Sequence, residues 1–191
     1  MDGDARLMDQ PPIALAARMR TPRILWGAML ASVGIYAGLI VSGALGSGAD
    51  ADPLPLPLLL SLSVALAIAS FVLPHVLHRQ AIARAKFEID ERPMNVAPTN
   101  YRSASGRYRQ LRSGVYAAAL PLFFTPFILS LALSEAVAVL GVAGASTGVS
   151  PMYCLPLLGV SALLIAVRFP TWSAVVGPIE KRHDAVAPPM P

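Results

Sequence analysis

The 191-residue chain has a single cysteine, Cys154. No internal disulfide can form, and no cysteine-based metal site is expected. Charge is also scarce. Only 14% of residues are charged, against about 25% in an average soluble domain. There are three histidines, and the sequence holds no Gly-rich phosphate loop, no His-Glu-x-x-His and no Gly-x-Ser-x-Gly. The acids Asp2, Asp4 and Asp9 precede the first apolar run, which is far longer than a signal h-region. Together they argue against a cleavable signal peptide and for an uncleaved anchor. The longest polar connection, about 77–113, is too short to fold readily as a separate soluble domain.

What the chain does have is apolar length. Hydrophobic residues make up 55% of it, and the mean hydropathy is +0.59. Charge-free stretches cover 24–49 and 53–74, and 113–167 is broken only by Glu135. A bilayer-crossing helix needs roughly 20 apolar residues. Four spans are predicted at 24–45, 54–76, 122–145 and 152–168, the last being the shortest. The expected fold is all-α: a four-helix membrane bundle of two parallel helical hairpins, 24–76 and 122–168. A cytoplasmic arm (1–23), a basic cytoplasmic connection with an interfacial helix (77–121) and a cytoplasmic tail (169–191) complete it.

All 15 Lys and Arg residues fall in the arm, the connection and the tail. The loops 46–53 and 146–151 have none, and the first carries Asp50 and Asp52. This is the positive-inside pattern. It predicts a multi-pass membrane protein with both termini in the cytoplasm. The partner implied by the basic residues is a bilayer with anionic headgroups, not nucleic acid. Arg107, Arg109 and Arg112 are the expected headgroup contacts, on a helix or elbow that Pro121 interrupts. His78 and its successors are good helix formers that continue span two until Pro93 and Pro98 end it. His75 and His78 share a helix face but lack further ligands, so they read as interfacial histidines. No metal and no cofactor is expected.

The two halves look alike. Thr21-Pro-Arg-Ile-Leu opens span one and Thr125-Pro-Phe-Ile-Leu opens span three. Leu56-Pro-Leu-Leu and Leu155-Pro-Leu-Leu open the other two. This suggests a duplicated hairpin related by an axis along the membrane normal. Ala31 is then the counterpart of Glu135. Span one also carries small residues, Gly27, Ala31, Gly34, Gly38 and Ser42, at spacings that let helices approach closely. They would serve packing within the bundle or a dimer interface.

Glu135 is the candidate functional residue. A carboxyl at membrane depth costs a few kcal/mol on insertion scales and is usually retained for a role. Its candidate partners are Ser134, Ser32, Ser63 and Tyr36. Two roles stay open. It could exchange a proton or Na⁺, or it could fix packing and assembly by hydrogen bonding.

The run Phe123-Phe-Thr-Pro-Phe-Ile-Leu-Ser-Leu-Ala-Leu-Ser-Glu135-Ala-Val-Ala-Val-Leu-Gly141 resembles the carboxylate-bearing helix of the ATP synthase proteolipid, subunit c. That resemblance implies that Glu135 carries the ion. It is confined to span three, since span two has none of the glycine repeat of that family's other helix. Over roughly 20–182 the chain resembles a group of uncharacterised bacterial four-span membrane proteins. Arg20-Thr-Pro-Arg-Ile24, Ala132-Leu-Ser-Glu135-Ala136, Phe169-Pro-Thr171 and Pro178-Ile-Glu180 carry the likeness. It implies the fold and the repeat without an activity. The expected function is a non-enzymatic, oligomeric or accessory membrane component, with a proton- or sodium-translocating subunit as the alternative.

Overall fold

The computed structural model describes residues 19–45, 55–93, 107–111 and 115–187. Most of the N-terminal arm, the acidic loop with Asp50 and Asp52, the polar loop 94–106, Arg112 and residues 188–191 lie outside the described residues. The described residues are all-α apart from one small ribbon. Its elements are α1 (Arg20–Val41), α2 (Leu56–Arg84), β1 (Ile89–Pro93), β2 (Arg107–Leu111), α3 (Val115–Ser146), α4 (Pro151–Ala166) and α5 (Trp172–His183). Helices α1, α2 and α3 are long and apolar enough to cross a membrane. Helix α4 is apolar but has 16 residues, about 24 Å at 1.5 Å per residue.

The chain divides into two compact units. The first, a helical unit, comprises Pro22–Val76 and Pro126–Phe169. Leu59, Val137, Leu157 and Leu164 form its core, with Leu56, Leu66, Ala67, Leu140 and Val149 packed around them. Helix α2 turns only Leu59, Ser63, Ser70 and Pro74 inward, a seam stepping by four and seven residues. Leu56, Leu66 and Ala67 flank it half-buried, while Leu58, Leu62, Val64, Ile68 and Val72 are exposed. An apolar exterior over a narrow buried seam is the arrangement of a helix that meets lipid. The α3–α4 turn uses Gly148 at φ 87°, a backbone region that side chains with a Cβ rarely adopt. Ser150 then caps α4 by accepting from the Met152 amide at 3.4 Å.

The small-residue ladder of α1 is not where helices of this unit approach. A Cβ built on Gly27, Gly34 or Gly38 would meet nothing within 4 Å, and Ala31 and Ser42 are exposed. The inward positions of α1 are Pro22, Val33 and Ile40, so bulky residues set its spacing and the small ones face out. The close approaches lie in α3 instead. A Cβ on Gly141 would sit 2.6 Å from Leu158 Cδ1 and 3.0 Å from the Cys154 carbonyl oxygen. One on Gly144 would sit 2.9 Å from Leu59 Cδ2.

The second unit comprises Leu77–Thr125 and 170–187 with residues 19–21. Here the local structure differs from expectation in three places. Helix α2 does continue past His78 but stops at Arg84, well before Pro93. Residues 107–111 form a strand rather than a basic interfacial helix. They pair antiparallel with β1, with Ile89 opposite Leu111 and Glu91 opposite Arg109. On the other edge of β2 the Leu111 amide donates to the Val186 carbonyl, and the Val186 amide donates to the Arg109 carbonyl, both at 2.9 Å. Backbone groups of this segment thus find partners on both sides, which a lone helical turn would not offer. Finally, α3 starts at Val115 and runs through Pro121. Apolar helices tolerate proline where neighbouring groups satisfy the freed carbonyl. Buried residues of this unit include Ile82, Leu111, Val115, Ala119, Val175, Val176 and Ile179. Tyr116 and Trp172 meet edge to face at 5.5 Å. Helix α5 is capped by Thr171, whose Oγ1 accepts from the Ala174 amide at 3.2 Å. Its last turn carries Lys181 and Arg182, cations that suit the negative end of the helix dipole.

His183 gives this unit a pH dependence. Its ring lies 5.5 Å from Phe87, and its Nε2 is buried without a hydrogen-bond partner among the described residues. Burial, then the charges of Arg182 and Arg109, hold its pKa below the ordinary value of 6.5. The folded unit resists protonation, so below about pH 6.5 the unfolded chain binds more protons. Stability is therefore lost as pH falls through that value. Thermal melts followed by Trp172 fluorescence should show a drop between about pH 7.5 and pH 5. His183→Gln should flatten that slope, and an unchanged slope would exclude His183 as its source.

Candidate functional site

Glu135 lies about two-thirds of the way along α3 and is half-buried in the helical unit. Of its four candidate partners, the structure brings one to it. Ser32 Oγ, on α1, donates to Glu135 Oε1 at 2.7 Å. The same hydroxyl lies 2.7 Å from the Met29 carbonyl oxygen, one turn back on its own helix. A hydroxyl has one proton and two lone pairs. With Glu135 ionised, Ser32 donates to the carboxylate. With Glu135 protonated, the carboxyl can donate to Ser32 Oγ while Ser32 donates to Met29. One geometry serves both charge states.

The other candidates are occupied elsewhere. Ser63 Oγ donates to the Leu59 carbonyl of its own helix at 2.8 Å. Ser134 Oγ donates to the Ser130 carbonyl at 2.7 Å. Tyr36 is half-buried on α1 and makes no hydrogen bond to Glu135 among the described residues. The expected headgroup residue Arg109 is exposed on β2.

Arg168 is the residue that the sequence hides. It reads as one more flanking cation, yet it turns back into the helical unit. Nη1 donates to the Ser130 carbonyl at 3.3 Å, to the Leu164 carbonyl at 3.2 Å and to Ser134 Oγ. Nη2 donates to both the carbonyl and the hydroxyl of Ser70, each at 2.9 Å. The guanidinium carbon stands 4.4 Å from the centre of the Phe71 ring. One side chain thus ties α2, α3 and the end of α4. None of these bonds goes to the Glu135 carboxylate, although Glu135 follows Ser134.

The serines around it have a common habit. Ser70 donates to the Ala67 carbonyl, Ser130 to Phe127, Ser134 to Ser130 and Ser161 to Ser134, each at 2.7 Å. Every hydroxyl proton is spent on a backbone carbonyl, which leaves the oxygens as acceptors. The sequence signal for this cluster is the serines themselves: Ser130 and Ser134 recur one turn apart in an apolar helix, with Ser70 and Ser161 in two others.

At the same end of the unit, the Trp26 indole donates to the Ile165 carbonyl at 2.8 Å and meets Phe169 edge to face at 5.1 Å. Arg23 lies over the other partner in that contact, 5.7 Å from the Phe169 ring centre. Of the histidines, His75 is exposed and the His78 ring meets Phe123 at 6.1 Å. Comparison with known proteins finds no protein family, no curated protein and no solved structure that matches this chain.

Proposed function

We propose that the chain is a non-enzymatic, multi-pass protein of the bacterial cytoplasmic membrane, an oligomeric or accessory component in which Glu135 fixes helix packing. The observation that carries this reading is the Ser32–Glu135 bond at 2.7 Å. A carboxyl that hands ions to a partner has to be free for that partner. Here it is bonded to a neighbouring helix of its own chain, and Arg168 is bonded to neutral oxygens beside it. The outward-facing ladder of α1 supports contact with another membrane helix, because small residues admit a close neighbour.

On this reading α4 is a fourth, short span, the chain is two parallel hairpins, and both ends are cytoplasmic. The basic residues on one side support that orientation. The Ser32–Glu135 bond supports the duplication. Ser32 is next to Ala31, the counterpart of Glu135, and an axis along the membrane normal places counterparts at one depth.

The alternative, a proton- or sodium-translocating subunit like the proteolipid, is favoured by one feature: Ser32 can satisfy Glu135 in either charge state. Labelling with dicyclohexylcarbodiimide in detergent, read by mass spectrometry, separates the two. The packing role expects no label on Glu135 at any pH. It also expects Glu135→Gln to fold with a stability within about 1 kcal/mol of wild type, since the amide can donate to Ser32. Labelling that fades with rising pH, or that Na⁺ blocks, would replace it with the translocating reading.

A further inference from the structure

We infer that the end of the helical unit carrying Arg23 and Arg168 binds the headgroup phosphate of an anionic phospholipid, an inference that rests on the membrane reading above. The charge balance points there. Among the described residues of this unit the formal charges are Arg23, Arg168 and Glu135. Glu135 is bonded to Ser32, and every Arg168 bond ends on a neutral oxygen. Two guanidinium groups therefore share one end of the unit without a bonded carboxylate. The Trp26–Ile165 bond brings the start of α1 to the end of α4, which puts the two arginines at that end together.

The surroundings select an amphiphile over a simple anion. Each guanidinium lies on an aromatic ring, Arg23 on Phe169 and Arg168 on Phe71. Both residues are about half exposed, at 46% and 53%, and Val167, next to Arg168 in sequence, is 63% exposed. Cation and apolar surface thus alternate over a short distance. A phosphate diester with acyl chains matches both. Basic pockets between membrane helices on the cytoplasmic side hold anionic headgroups in the same way.

Trp26 touches Phe169 and is the built-in reporter. The chain has two tryptophans, so Trp172→Phe leaves Trp26 alone. This variant would be reconstituted in phosphatidylcholine vesicles containing a rising fraction of brominated phosphatidylglycerol or, separately, brominated phosphatidylcholine. Brominated phosphatidylglycerol should quench Trp26 at a several-fold lower fraction. Arg23→Gln and Arg168→Gln should each reduce that preference by about fivefold, and Arg23→Lys should largely keep it. Arg23 is exposed, and its guanidinium makes no hydrogen bond among the described residues, so its variant tests the site even if Arg168→Gln does not fold. Equal quenching by the two lipids would overturn the site while leaving the membrane reading intact. Loss of the preference in excess inorganic phosphate would overturn the lipid as ligand. Absence of quenching by either lipid would remove Trp26 from the bilayer, and the membrane reading with it.

Discussion

Arg168→Ala is expected to lower the unfolding free energy by about 2–4 kcal/mol, measured by titrating detergent-solubilised protein with SDS. The side chain makes bonds to Ser70 on α2, to Ser130 and Ser134 on α3, and to Leu164 on its own helix. Bonds to a charged donor contribute about 1.5–3 kcal/mol each in water, while bonds between membrane helices average nearer 0.6. The range takes the sum well below the number of contacts, because the freed Ser130 carbonyl still accepts from the Ser134 hydroxyl and the Ser70 and Ser134 hydroxyls keep their own bonds. Arg168→Lys should recover only part of the loss. A guanidinium fork reaches Ser70 and Ser134 at once, and a single ammonium cannot hold that span in one plane. A change below about 1 kcal/mol for Arg168→Ala would mean that the three helices hold together without it.

The second large effect is expected at Gly141. Alanine there places a methyl group 3.0 Å from the Cys154 carbonyl oxygen and 2.6 Å from Leu158 Cδ1. The leucine can rotate, but a backbone oxygen inside α4 cannot. Helices α3 and α4 must part, and overpacking of this kind costs about 1–3 kcal/mol. Alanine also favours the helix by up to about 1 kcal/mol over glycine, so the net loss should be about 1–2 kcal/mol. Gly34→Ala is the matched control, because its added methyl meets nothing within 4 Å. It should be neutral or stabilising by up to about 1 kcal/mol. Equal losses at the two positions would show that glycine serves the helices through something other than close approach.

Much of the helical layer is legible in the sequence because apolar length needs no tertiary information. The spans read at 24–45, 54–76 and 122–145 overlap α1, α2 and α3 closely. Ser32 stands among the partners named for Glu135 because an intramembrane carboxyl calls for a hydroxyl nearby. What sequence patterning cannot supply is direction. The ladder of α1 has the spacing of an interface, yet spacing does not say which face turns inward. Val33 and Ile40 decide that through packing. The strand at Arg107–Leu111 is masked by its arginines, although Leu111 at its end is set against the core. Arg168 is misplaced for a geometric reason. Helix α4 is about 24 Å long, short of the roughly 30 Å of hydrocarbon, so its trailing cation lies within reach of the bundle. A longer helix would have carried it clear of Ser70, Ser130 and Ser134, out among the other flanking basic residues.

The serines of the helical unit have a consequence for what position 168 can be. With Ser70, Ser130, Ser134 and Ser161 all donating to backbone carbonyls, the cluster offers lone pairs and no spare protons. Such a lining is chemically one-sided. It solvates donors and repels acceptors, much as a ring of ether oxygens does. Tolerance at position 168 should therefore follow the number of donors a side chain brings, with Arg ahead of Lys, Lys ahead of Gln, and Glu rejected outright.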